Sequence, residues 1–327
     1  VREVATPTPR GTEALVRVRA CGVCKTDVHI HHGRFFAAFP LIPGHEFAGE
    51  VAAVGEAVTR VQVGDRVAAD NQYPCGRCDA CRGGTPLFCA HMTAQGVNAP
   101  GGFAEYTLVD EARLYPLADT VSFDEGALIE PAACAVHGID VIAPRAGDDA
   151  LQFGAGGTGL ILAQLLRGAG VATLAVADLS PRKLALAGQL AGAETVMVRR
   201  DAPEAHDLAL HNRYPGGFAI VIDATGVPAV IERLPRYAHP GAKLVMYGVA
   251  PEEARIAISP YDIFRRELTL LGSFSQLGTF PRAVKLVNSG VLQLKELVTH
   301  TFPLEGWADA LARISRGSDE VKMVMRP

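Results

Sequence analysis

The sequence predicts an α/β protein: a doubly wound parallel sheet joined to a second, mainly β region that binds metal. Three observations carry this. From about Pro131 onward, short buried runs alternate with helical stretches; one turn there reads Gly154-Ala155-Gly156-Gly157-Thr158-Gly159; and the first ninety residues hold seven positions suited to metal. Strands that alternate with helices lie parallel in one sheet, with helices covering it.

The first ~130 residues are rich in Gly and Pro, with short β-type runs. Ala14-Leu15-Val16-Arg17-Val18-Arg19 alternates apolar and charged side chains, as a half-exposed strand does. Glu50 to Val54 and Arg66 to Ala69 read similarly, with Gly55 and Gly64-Asp65 as turns. Ala150 to Phe153 is a short buried strand, followed by the Gly-rich turn, a helix from Leu160 to Gly168 and a strand from Val171 to Ala177. Ser180-Pro181 opens the next helix, Ser as N-cap and Pro at the first helical position. Later strands are expected at Ala219–Val221 and Lys243–Tyr247, and the pattern loosens after about Leu271. These changes of texture divide the chain into residues 1–131, 132–270 and 271–327.

Of the 327 residues 49% are hydrophobic, enough to bury a large core across about two domains. Net charge is -4 and no basic block occurs, which argues against nucleic acid or an anionic membrane as partner. No apolar run reaches the length of a membrane span, and no signal peptide is visible. The sequence opens at Val1 rather than Met, so a preceding stretch is expected. Seven cysteines, an odd number clustered at metal spacing, suit a reducing compartment, the cytoplasm by default.

The Gly-rich turn matches G-x-G-x-x-G between a strand and a helix. Gly154 allows the tight turn, Gly156 lets a pyrophosphate approach the backbone, and Gly159 lets the helix pack on the strand. The helix N-terminus offers free N–H groups to phosphate. Such a turn alone is a weak signal, but Asp178 ends the second strand 24 residues past Gly154, where an acid takes the ribose hydroxyls of adenosine. A carboxylate there repels a 2'-phosphate and favours NAD over NADP. This is the signature of a Rossmann-type domain.

Cys75, Cys78, Cys81 and Cys89 form C-x2-C-x2-C-x7-C in a Gly-rich loop, a spacing that closes one tetrahedral Zn2+ shell. Disulfides or a zinc ribbon are the alternatives; the compact spacing disfavours the first and the acidic pI the second. Upstream, Cys24 and His45-Glu46 offer the mixed S, N and O ligands of a second, chemically open site. Cys21-Gly22-Val23-Cys24 also reads as a redox pair or half a zinc knuckle, but no thioredoxin-like helix is expected after the pair, and the further cysteines of a knuckle are not nearby. Thr26, Asp27 and His29 follow within five residues of Cys24.

These residues resemble the zinc-dependent, medium-chain alcohol and polyol dehydrogenases. Gly44-His45-Glu46-x2-Gly49-x5-Gly55-x2-Val58 matches the family's zinc signature, and Gly22-Val23-Cys24-Lys25-Thr26-Asp27-x-His29 its first-ligand motif. The four-Cys lobe, the G-x-G-x-x-G turn and Asp178 follow in the family's order, so the resemblance covers essentially the whole chain apart from an N-terminal strand. It implies a GroES-like catalytic domain over 1–131, completed by 271–327, and an NAD-binding domain over 132–270. It implies two zinc ions per chain and NAD as cofactors. Cys24 and His45 become catalytic zinc ligands, with Glu46 bound or exchanging with water. Glu130, in Leu128-Ile129-Glu130-Pro131, stands where alcohol dehydrogenases proper carry a further Cys; this Glu-Pro variant is similar to the sorbitol, arabinitol and threonine dehydrogenase branch. Asp27 becomes an anchor behind the zinc site, and Cys21 and Cys134 are expected to be buried thiols that bind no metal.

In the cofactor domain the resemblance places Thr158 next to the pyrophosphate and Lys183 next to the adenosine ribose. Tyr247, Gly248 and Val249, with Ser273, Phe274 and Ser275, fall where backbone groups hold the nicotinamide carboxamide. The implied reaction is oxidation of a secondary alcohol or polyol. The zinc-acidified hydroxyl loses its proton through Thr26 and the nicotinamide ribose to His29, and hydride passes to NAD+. Ser275 and Gln276 replace the Arg and aromatic hydroxyl with which sorbitol dehydrogenases hold distal hydroxyls, and Ile30 replaces an aromatic after His29. A pentitol, another secondary alcohol or a diol fits as well as a hexitol. Threonine- and butanediol-type dehydrogenases, a non-catalytic zinc-bearing relative and a zinc-free quinone reductase are the alternatives; the intact ligand set speaks against the last two. Family resemblance also implies a homodimer or homotetramer.

Overall fold

The alternating stretch Ala14–Arg19 lies within the longest strand, β1 (Glu13–Val23). Its alternation gives way to continuous burial toward Val23 because the strand is central, with partners on both sides. The computed structural model describes residues 1–34, 37–316 and 319–327. It divides into two compact units: Val1–Ala133 with Leu277–Pro327, and Cys134–Gln276.

The first unit continues with β2 (Glu46–Val54), β3 (Arg66–Ala69), β4 (Gln72–Tyr73), β5 (Thr93–Ala94), β6 (Tyr106–Asp110) and β7 (Leu114–Pro116). The second holds β8 (Asp149–Phe153), β9 (Thr173–Asp178), β10 (Glu194–Met197), β11 (Phe218–Asp223), β12 (Ala238–Met246) and β13 (Thr269–Gly272). The chain returns to the first unit for β14 (Val298–Phe302) and β15 (Lys322–Met325).

In the first unit the sheet order is β14-β15-β1-β2-β3-β7, with β6 also on β1. β1 runs antiparallel to both β2 and β15, pairing Gly22 with Glu46 and with Val324. The end of β1 and the starts of β2 and β15 therefore share one edge of the sheet. Val16, Phe47, Val51, Val67 and Leu114 pack the core beneath it.

In the second unit the order is β10-β9-β8-β11-β12-β13, and every pair is parallel. This is the doubly wound order in which a dinucleotide binds outside the carboxyl ends of the strands, where the order reverses. Leu151, Ala175, Val221 and Leu244 belong to one core cluster.

Boundaries differ from expectation where local chemistry intervenes. The helix after the Gly-rich turn begins at Gly157, three residues before Leu160. β9 begins at Thr173, because Gly170 takes φ +88 and turns the chain first. Tyr247 lies beyond β12, and the boundary at 270 falls inside β13, which pairs along its length with β12. The helix Phe123–Ala127 was not expected, although Ser122 and Glu125 form a capping box that the sequence spells out as S-x-x-E. Among the described residues no helix is long and apolar enough to cross a membrane.

Candidate metal centres and dinucleotide turn

The shared strand edge of the first unit assembles the first site. Cys24 directly follows β1 and N-caps the helix Lys25–His31, contrary to the expectation that no helix follows the Cys21–Cys24 pair; His45 directly precedes β2 and Glu46 begins it. One ligand atom from each of Cys24, His45 and Glu46 lies within 4.8 Å of the others. Glycines make the room. Gly44 sits at φ +95, and a Cβ there would meet Phe103 N at 2.7 Å and Cys21 Sγ at 2.8 Å. A Cβ on Gly22, opposite Glu46 in the register, would land 2.0 Å from Glu46 Oε2.

Asp27, 1% exposed, holds two of these groups at once. Its Oδ2 accepts the Cys24 N–H at 2.8 Å, and its Oδ1 stands 3.4 Å from His45 Nδ1. The other imidazole nitrogen, Nε2, then faces Glu46 Oε1 at 3.9 Å. Such a carboxylate on the far nitrogen of a ligand His fixes the ring. Burial by itself would lower the His45 pKa, but the Asp27 carboxylate outweighs it and the imidazole titrates well above its ordinary range. Thr26 Oγ1 lies 3.6 Å from Cys24 Sγ, and His29 is partly buried three residues on along the same helix.

Lys322, at the start of β15, was not singled out from the sequence. It is 7% exposed, and its Nζ donates to Glu46 Oε1 at 2.5 Å. Burial would lower its pKa, but Glu46 and Cys24 override this and hold the ammonium well above an ordinary lysine. A Lys inside the apolar run Val321 to Met325 was the available signal, but its partner is set by strand register, 276 residues away in sequence. Glu46 Oε2 is buried without a hydrogen-bond partner. A thiol, an imidazole nitrogen and an orphaned carboxylate oxygen at this separation fit a Zn2+ ion. Glu130, in the first turn of the helix Ile129–Ile142, is 7% exposed and contributes to the field at Lys322, but it stands outside the close ligand group.

The four-Cys lobe forms the second site. Ligand atoms of Cys75, Cys78, Cys81 and Cys89 lie within 4.8 Å of one another, with Cys78 Sγ 3.5 Å from Cys81 Sγ. Backbone N–H groups of Cys75 and His91 donate to Cys89 Sγ, each at 3.3 Å, and that of Cys78 donates to Cys75 Sγ at 3.4 Å. Backbone donors lower the Cys75 thiol and bring Cys78 down to about 6, whereas burial and neighbouring thiols push Cys81 up to about 12. Four sulfurs this close in one loop are a donor set that fits a tetrahedral metal. No disulfide joins any of the seven cysteines. Cys21 is fully buried, and burial raises its thiol pKa; Cys134, expected buried, is partly exposed instead.

In the second unit the Gly-rich turn joins β8 to the helix Gly157–Gly168, with Gly156 as N-cap. Gly154 takes φ +104, and a Cβ on Gly159 would meet Gly154 O at 2.5 Å. A Cβ on Gly156 would meet nothing within 4 Å, so the backbone there stands open to an approaching phosphate. Thr158 lies in the first turn of this helix. Asp178 ends β9; its Oδ2 accepts the Ala155 N–H at 2.7 Å and its Oδ1 the Ser180 N–H at 2.9 Å. Lys183 donates its backbone N–H to Ser180 Oγ. Tyr247 and Gly248 both donate to Asp223 O, while Val249 is exposed. Ser273 donates to Met246 O, Phe274 is half exposed, and Ser275 takes φ +53. Asp178, the glycine turn and the loops after β12 and β13 thus all lie at carboxyl ends of parallel strands.

Comparison with known proteins agrees with this chemistry. Residues 10–119 match the alcohol dehydrogenase GroES-like domain, and residues 157–289 match the zinc-binding dehydrogenase domain. D-arabinitol dehydrogenase 1 of Uromyces fabae is 42% identical over 93% of this chain and 87% of its own length. D-altritol 5-dehydrogenase of Agrobacterium fabrum is 39% identical over 89% of this chain and 85% of its own. A protein from Sinorhizobium meliloti 1021, solved bound to NADP, superposes with a TM-score of 0.93 at 34% identity, covering 100% of this chain and 95% of that one. By these matches and by its two ligand sets, the chain belongs to the zinc-dependent medium-chain alcohol and polyol dehydrogenases.

Proposed function

We propose that this enzyme oxidises a secondary hydroxyl of a pentitol- or hexitol-like polyol, with NAD+ as hydride acceptor. The first unit is the catalytic one and the second binds the dinucleotide. The observation that carries the reading is the convergence of Cys24, His45 and Glu46 within 4.8 Å, in a chain whose other unit bears the glycine turn and Asp178. Bound zinc supplies Lewis acidity toward a hydroxyl, and bound NAD+ supplies the hydride acceptor.

The chain's own groups have separate tasks. Cys24, His45 and Glu46 hold the catalytic ion, and Glu130 serves it directly or through water. Asp27 keeps the imidazole oriented, and Lys322 keeps Glu46 in place. Thr26 takes the substrate proton and His29 delivers it toward solvent. Cys75, Cys78, Cys81 and Cys89 hold a structural zinc. The turn from Gly154 through Gly156 and Thr158 to Gly159 offers N–H groups to the pyrophosphate; Asp178, with Lys183 nearby, takes the adenosine ribose. Backbone groups of Tyr247, Gly248 and Val249 and of Ser273, Phe274 and Ser275 hold the carboxamide.

The D-arabinitol and D-altritol enzymes support a polyol substrate. The Sinorhizobium protein was solved with NADP, but here a 2'-phosphate would meet the carboxylate of Asp178, which favours NAD+. A homodimer or homotetramer in a reducing compartment belongs to the same reading. The exposed Leu270 of edge strand β13, with Tyr261 and Phe264 exposed on the helix Pro260–Arg266, is surface that self-association would cover.

The test is NADH formation at 340 nm across pentitols, hexitols, 2,3-butanediol and threonine. Turnover should be fastest with a pentitol or hexitol and faster with NAD+ than with NADP+ at equal concentration. Faster turnover of threonine or butanediol would sink the polyol assignment, and faster turnover with NADP+ the reading of Asp178.

A further inference from the structure

β8 carries one polar side chain among apolar ones in its buried stretch: Gln152, with no exposed surface, between Leu151 and Phe153. A buried amide costs free energy unless it is paired, and a β-branched or aliphatic residue suits such a strand better. Its pairing is specific. Gln152 Nε2 donates to Gly154 O at 2.8 Å and to Gly159 O at 2.9 Å, the first and last glycines of the turn. One side chain thus ties the two ends of G-x-G-x-x-G together.

The Gly154–Ala155 peptide is gripped from its other side as well. Its N–H, that of Ala155, donates to Asp178 Oδ2 at 2.7 Å. In a planar trans peptide the C=O and N–H point in opposite directions. Fixing the carbonyl of Gly154 therefore fixes the direction of the Ala155 N–H, and with it the place of one carboxylate oxygen. Ser180 N–H fixes the other at 2.9 Å. A chain of hydrogen bonds runs from Gln152 through one peptide to Asp178.

We propose that Gln152 is a positioning residue for dinucleotide selection, holding the turn closed and orienting Asp178 through the Gly154–Ala155 peptide. The inference rests on the reading of this turn and Asp178 as the NAD+ site. Gln152 is fully buried and acts through Asp178 rather than on the cofactor. Released from this clamp, the carboxylate would hold the ribose hydroxyls less well and could swing away from a 2'-phosphate. Loss of Gln152 would then weaken NAD(H) binding and erode discrimination against NADP(H).

The experiment is calorimetric titration of NADH and NADPH into the full chain, as wild type, Gln152→Met, Asp178→Ser and the double variant. Met keeps the volume and removes the donor. Two lost hydrogen bonds predict NADH binding weaker by about 5- to 30-fold. NADPH binding should change less, so that the NADH preference falls at least about threefold. Added to Asp178→Ser, Gln152→Met should erode the preference little further, since both act on one carboxylate. An unchanged preference in Gln152→Met, with or without a lower Tm, would overturn the proposal, as would an additive loss in the double variant. Gln152→Val, smaller and suited to a strand, is read in the same way if the Met variant does not fold. A wild type that binds neither dinucleotide would overturn the cofactor reading itself, and this inference with it.

Discussion

Cys24→Ala should release one zinc ion per chain and lower kcat/KM by on the order of 10³-fold or more, while Tm stays near the wild-type value. Zinc's charge stabilisation is worth several kcal/mol, and each 1.36 kcal/mol is about tenfold in rate. Stability should hold because Asp27 caps the helix through the Cys24 backbone N–H, which the substitution keeps. Metal analysis and NADH formation on the same preparation check both halves. Retention of more than about a tenth of the activity would show that the thiol of Cys24 is not needed by the reaction.

Cys81→Ala should act in the opposite sense, with a loss of stability on the order of 4 kcal/mol or more and much smaller effects on the turnover of molecules that remain folded. The lobe has little else to hold it. Its helix Asp79–Arg82 has four residues, none of them buried, and the 3-10 turn Pro86–Phe88 buries only Leu87. Apolar burial is too slight there to offset the chain entropy of a Gly-rich loop. Thermal unfolding with and without a chelator reads the effect. A variant that unfolds at the wild-type temperature, and loses nothing further to the chelator, would mean that the lobe stands without metal.

The sequence made some of this legible because certain chemistry is local. Cys75 to Cys89 form a ligand set within one loop, and the glycine turn with Asp178 lies within one strand–helix–strand unit. The doubly wound sheet followed from the alternation of strands and helices after Pro131. The rest depends on strand register, which a single sequence does not display. Lys322 reaches Glu46 only because β15 and β2 flank β1, and the need for Gly22 appears only when Glu46 stands opposite it. Gln152 read as one more residue of a buried strand until its two carbonyl partners were in view. Glu130 enters through the family resemblance, which puts it where alcohol dehydrogenases proper carry a further Cys; whether a buried carboxylate meets an ion is decided by helix orientation, and its position lies outside the close ligand group.

The central claim is that one chain carries two zinc sites of different purpose, one of mixed ligands for chemistry and one of four thiols for structure. Metal analysis of the purified, unmodified protein tests it most directly. The account predicts about two zinc ions per chain, with Cys24→Ala and Cys81→Ala each retaining about one. One zinc or none in the wild type, or a Cys24→Ala protein that still holds two, would contradict it.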